Sequence, residues 1–136
     1  MSTAFDELLR EATAGGERFG HREHVHLTWL AVRRFGTAGA VDLVGAGIRR
    51  AARDAGRPGK YHATITRAWV ELVGHHVAED PVLDFATFAI VEANAPLLDR
   101  GLLARFYRPE TLAGAQARAG WVEPDRSPFP WRGPTA

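Results

Sequence analysis

Apolar residues recur at helical spacing through nearly the whole chain, and no stretch alternates in the manner of a half-buried strand. This periodicity confines the fold to the all-α class and leaves glycine and proline to set the number of helices. A first helix is expected over Ala4–Ala12, with Phe5, Leu8, Leu9 and Ala12 on one face, Ser2 or Thr3 as its cap and Gly15-Gly16 as its break. A second is expected over 21–35, stopped at Gly36. A third, over 38–55, carries the stripe Val41, Val44, Ile48 and Ala52. Arg49, Arg50 and Arg53 suit the negative end of that helix, and Gly56 and Pro58-Gly59 follow it. Further helices are expected over 62–77, 84–93, 97–106 and 109–119, with Asn94-Ala95-Pro96 closing the second of these.

With 136 residues, 46% apolar and 24% charged, the chain is one domain able to close a core. After Gly120 the composition changes, because WVEPDRSPFPWRGPTA holds four of the eight prolines and two of the four tryptophans. Proline opposes a helix there, while Trp121, Phe129 and Trp131 are costly to leave in water. The expected architecture is a compact single-domain bundle of five to seven helices (1–120), with 121–136 packed over it as an extended Pro-rich strap.

Charge and composition narrow the function classes. Seventeen Lys and Arg against sixteen Asp and Glu leave a net charge of +1, which argues against a nucleic-acid partner or a polybasic membrane anchor. The absence of cysteine excludes disulfides, thiolate metal sites and a Cys nucleophile. No apolar run approaches the roughly 18 residues of a membrane span, and the start MSTAFDELLR lacks the apolar core of a signal peptide. A cytoplasmic monomer or homodimer without membrane contact is the expectation.

Six histidines carry most of the chemical interest. At 3.6 residues per turn, His21 and His24 share a face with Thr28, Ala31 and Val32, and His62 is in register with Ile65, Thr66, Trp69, Leu72 and Val73. His26 points toward solvent or an edge, and His75-His76 sit at a helix end as capping groups. If the helices over 21–35, 38–55 and 62–77 run up, down and up, His21, His24 and His62 lie at one end of the bundle. Three imidazoles with an open position form a catalytic coordination pattern, suited to zinc or iron, with nickel or copper as alternatives. Glu23, Tyr61, Thr64 and Thr66 stand beside these histidines in sequence. The competing reading of each inward His is a hydrogen-bonded core residue. HREH lacks the i, i+4 spacing of a zincin, so protease chemistry has no support. The arginines from Arg33 to Arg57 read first as a solvated helix surface, with phosphate binding as a secondary option.

The segments FGHREHVHLTWL, KYHATITRAWVELV, LLARFYRPETL and ARAGWVEPD together resemble a family of small bacterial all-helical proteins of unassigned function. That family shows an aromatic-(Thr/Gly)-His-x-x-His-Leu start, a Tyr-His-x-Thr-(Ile/Leu)-Thr centre, a Tyr-Ser-x-Glu-x-Leu stretch and a Val-Glu-Pro-Asp end. The likeness covers about 19–130, and its pattern falls on His21, His24, Tyr61, His62, Thr64, Thr66, Tyr107, Glu123, Pro124 and Asp125. This chain departs at Val25, where Leu is usual, and at Arg108, where Ser is usual. The resemblance implies that the three inward histidines belong together and supplies no substrate.

These readings lead to a small metal-dependent lyase or hydrolase acting on a small polar metabolite. His21, His24 and His62 would hold one divalent ion, Glu23, Tyr61 or Asp125 would handle protons, and Thr64, Thr66, Trp69, Tyr107 and Trp121 would line the substrate site. The alternative is a metal-free ligand-binding or interaction module with an apolar pocket near Trp69 and Trp121, or a histidine acid–base enzyme without metal.

Overall fold

Thr3 opens the first helix, α1 (Ala4–Ala12), with a reciprocal cap. Its hydroxyl accepts the Asp6 amide at 3.1 Å while the Asp6 carboxylate accepts the Thr3 amide at 3.2 Å. α1 buries Phe5, Leu8 and Ala12, as its periodicity predicts. The computed structural model describes residues 3–13 and 19–132. Ser2, the Gly15-Gly16 break and residues 133–136 lie outside those.

The helices expected over 21–35 and 38–55 form one long element, α2 (His21–Asp54), broken within at Gly36. Gly36 sits at φ 76°, ψ 169°, a conformation essentially reserved for glycine, and the chain changes direction there. α3 (Ala63–Glu79) packs against both limbs. Along the first limb, His21 lies against Trp69 and Arg33 donates to the Leu83 carbonyl at 2.7 Å, so this limb runs with α3. Along the second, Thr37 packs onto Gly74 and Arg49 lies over Tyr61, so that limb runs against it. The expected up, down, up order is present. Gly74 permits the close approach, since a Cβ there would overlap the Thr37 side chain.

The remaining chain is less regular than its periodicity suggests. The helix expected over 84–93 stops early, as α4 (Phe85–Ile90), because Val91 turns extended at φ −67°, ψ 127°. A 3-10 segment over Glu92–Leu98, with Pro96 inside it, replaces the start of the helix expected over 97–106, and only Leu102–Arg105 of the rest winds, again as 3-10. The helix expected over 109–119 divides at Gly114, φ −76°, ψ 154°, into α5 (Pro109–Ala113) and α6 (Ala115–Ala119). No strand occurs among the described residues, and the fold is a compact all-α one. No helix among them is long and apolar enough to cross a membrane. The core gathers Leu27, Val44, Leu72 and Val73 from the long helices with Phe88, Leu97, Tyr107 and Phe129 from the later chain.

Replacing Gly36 by alanine tests the break. Nothing lies within 4 Å of the added Cβ, so the cost is conformational alone, and Gly36→Ala is expected to lose about 1–3 kcal/mol in urea unfolding. A variant as stable as the parent would show that the two limbs can meet without a left-handed residue.

Candidate functional site

The residues singled out by the sequence divide into two groups, one that ties the chain together and one that lines a cleft. His62 belongs to the first. It precedes α3 as its N-cap, with Nδ1 accepting the Ile65 amide at 3.1 Å. That leaves Nε2 as the protonated nitrogen, and it donates to the Leu112 carbonyl at 2.7 Å. Both ring nitrogens are occupied, and the residue is only 6% exposed.

His21 and His24 are neighbours, with ring centroids 6.5 Å apart. His21 meets α3 at Trp69, whose ring lies 4.7 Å from its own. Trp69 is seven residues beyond His62, about 10 Å along the helix axis. The three histidines therefore share an orientation of helices but not a level, and among the described residues no three His, Asp or Glu side chains gather in a way that could hold a metal ion. His21 instead donates from Nε2 to the Leu97 carbonyl at 2.9 Å. The neutral form of His24 is strongly favoured: burial first, and then the charge of His21, pull its pKa down to about 4.

The other predicted site residues follow the same division. Glu23 accepts the Gly20 amide at 2.9 Å and so caps α2. Thr64 is fully buried, donating to the Gly120 carbonyl at 2.7 Å and accepting the Val122 amide at 3.0 Å. Tyr107, also fully buried, donates to the Val122 carbonyl at 2.7 Å, and burial pushes its phenol well above the ordinary range. Asp125 accepts the Thr111 hydroxyl and, at 2.9 Å, the Arg108 amide, bonds that hold its carboxyl below the usual carboxylate range. Trp69 is a core residue, 6% exposed. His26, half-buried at an edge as expected, is stacked face to face on Phe85 at 4.2 Å, and His76 is anchored at 2.9 Å to the buried Asn94.

Tyr61, Thr66 and Trp121 do come together. They line a cleft of about 310 Å³ between the second limb of α2 and the start of α3, walled also by Asp42, Arg49 and Arg67. Each arginine lies over an aromatic ring, Arg49 at 6.0 Å from the Tyr61 centroid and Arg67 at 4.2 Å from that of Trp121. Arg67 is also paired with Glu71 at 3.0 Å, whereas no ion pair engages Arg49 among the described residues. Gly45 and Ala46 floor the cleft and keep it open. The sequence places Arg49 at a helix end and on a solvated surface, with phosphate binding as a secondary option. The more specific signal is Gly45, Arg49 and Arg53 at i, i+4, i+8, a small residue and two cations on one helical face.

No protein family, curated protein or solved structure matches this chain.

The two kinds of histidine behave differently on mutation. His62→Ala loses a cap and orphans the Leu112 carbonyl, and should cost about 2–4 kcal/mol in chemical unfolding, whereas His62→Asn keeps the cap and should cost less. For His24 the folded pKa of about 4 lies below the ordinary 6.5, so the unfolded chain binds more protons in between. Stability contributed by neutral His24 is then full above pH 6.5 and is lost as pH falls toward 4. The parent should lose more stability than His24→Gln over that window in pH-dependent thermal unfolding, and parallel curves would refute the assignment.

Proposed function

We propose that the protein is a metal-free ligand-binding module, and that its ligand is a small anionic metabolite with a planar group. The observation that carries this reading is the cleft in which Tyr61, Thr66 and Trp121 meet Arg49, Arg67 and Asp42. Two aromatic side chains at its walls, each already faced by an arginine, suit a flat, conjugated body that can join the same cation–π contacts, and the guanidinium of Arg49 suits a carboxylate or phosphate through a two-point fork. The Thr66 hydroxyl adds a polar group that can orient such a ligand, whereas the Asp42 carboxylate can accept only from a donor on the planar body and turns the anionic end toward the arginines. Three engagements weigh against a three-histidine metal centre as the working site: the His62 ring is used twice, the His21 ring is bonded to Leu97, and the carboxylates of Glu23 and Asp125 are taken up by Gly20 and by Arg108 and Thr111.

A substitution that fills the cleft without disturbing the helix separates this reading from a structural void. A Cβ at Gly45 meets nothing nearer than the Tyr61 hydroxyl at 3.9 Å, and leucine is a better helix former than glycine. Benzoate and larger aromatic carboxylates should raise the melting temperature of the parent and perturb its tryptophan fluorescence, through Trp121. Gly45→Leu should fold at least as stably and lose both responses. No response in the parent, or an undiminished one in Gly45→Leu, would overturn the proposal.

A further inference from the structure

A second cavity, of about 450 Å³, opens on the far side of Tyr61 and Arg49, which border both spaces. Its lining brings three guanidinium groups to one place, Arg49 and Arg53 from the last turns of α2 and Arg118 from α6, with Pro58 and Gly59 between them. No carboxylate lines it, and no ion pair among the described residues engages any of the three.

The helix end accounts for only part of this charge. The last carbonyls of α2 amount to about half a negative charge, which one arginine would satisfy. Three cations held at one concave surface repel one another, and the fold tolerates that cost without an internal counter-ion. Arg118 is also held in place: its Nη1 donates to the Gly59 carbonyl and, at 3.5 Å, to that of Tyr61. Those bonds use a single nitrogen of the fork, so the guanidinium keeps further N–H donors while its position is fixed. Gly59 offers no side chain, and nothing lies within 4 Å of where its Cβ would be, so the cavity mouth stays open.

We infer that this cavity is a phosphoryl subsite, and that the ligand of the adjoining cleft is a phosphate ester whose planar group lies between Tyr61 and Trp121. The inference rests on the cleft reading above and adds the chemical class of the anion. A carboxylate is saturated by one bidentate arginine, whereas a phosphate monoester carries close to two charges on three free oxygens and can accept from several forks at once. Arg49, standing at the junction, would contact the ester from either side.

Phenyl phosphate, benzoate and inorganic phosphate distinguish the parts in titrations followed by calorimetry, with chloride at matched ionic strength as the background. Phenyl phosphate should bind the parent more tightly than benzoate, and inorganic phosphate should bind on its own. Arg53→Gln, an exposed side chain whose loss leaves the core untouched, should weaken both phosphates by about tenfold or more, the worth of one charge-assisted hydrogen bond. Arg100→Gln, which removes the same charge from a remote turn, should leave both unchanged. Gly45→Leu should abolish benzoate binding and retain inorganic phosphate. The subsite is overturned if phenyl phosphate binds no better than benzoate, or if Arg53→Gln and Arg100→Gln behave alike. Benzoate binding that persists in the parent and is lost in Gly45→Leu would then show that the cleft survives and only the phosphoryl assignment has failed. Inorganic phosphate bound through Arg53, with no planar anion bound in the cleft, would overturn the phosphate-ester ligand and leave a bare anion site.

Discussion

Buried backbone that belongs to no helix must still find hydrogen-bond partners, and residues 80–132 find them partly on their own backbone and partly on side chains. The start of α3 supplies three of the side-chain bonds. His62 holds the Leu112 carbonyl, and Thr64 holds the Gly120 carbonyl and the Val122 amide. Around this turn the later chain adds its own bonds, Tyr107 to Val122, Asp125 to Arg108 and Arg126 to the Ala104 carbonyl. The His21 bond to Leu97, the Asn94 bond to Phe88 and the Arg33 bond to Leu83 add to these further up the molecule. Among the described residues no buried side-chain nitrogen or oxygen is left without a partner.

The cleft is a by-product of the same turn. Thr64 fixes the residues on either side of Trp121, which places the indole over Arg67 at the cleft wall, and Tyr61 immediately precedes the His62 cap at its base. Thr64 and Thr66 are two residues apart on a helix, so they face different surroundings: Thr64 is spent on the backbone of Gly120 and Val122, while Thr66 lines the cleft. A single short segment thus serves both stability and the candidate site, and changes within it will move the two together.

Much of the fold was legible because its signals are local. Thr3 is one of two cap candidates for α1, Gly36 marks the break in α2, and Gly56 with Pro58 ends it, each through a local preference that needs no distant neighbour. Between Asp84 and Arg108 the same rules misled, since apolar residues at helical spacing also suit 3-10 turns pressed on a core. The histidines were legible only in part, for a similar reason. Periodicity gives the face of a helix and says nothing of how far one helix slides along another.

What the sequence by itself determined is the all-α class, the limits of the long helices, the shared face of His21 and His24, and the absence of cysteine chemistry, because each depends on residue identity or on spacing along one element. The tertiary structure alone decided the level at which the first limb of α2 docks on α3, and with it the separation of His21 from His62. It also decided which carbonyls claimed the histidines and the convergence of Arg49, Arg53 and Arg118 from separate elements. Those outcomes depend on side-chain packing between distant segments, where a shift of one helical turn exchanges every partner while leaving the pattern of each helix unchanged.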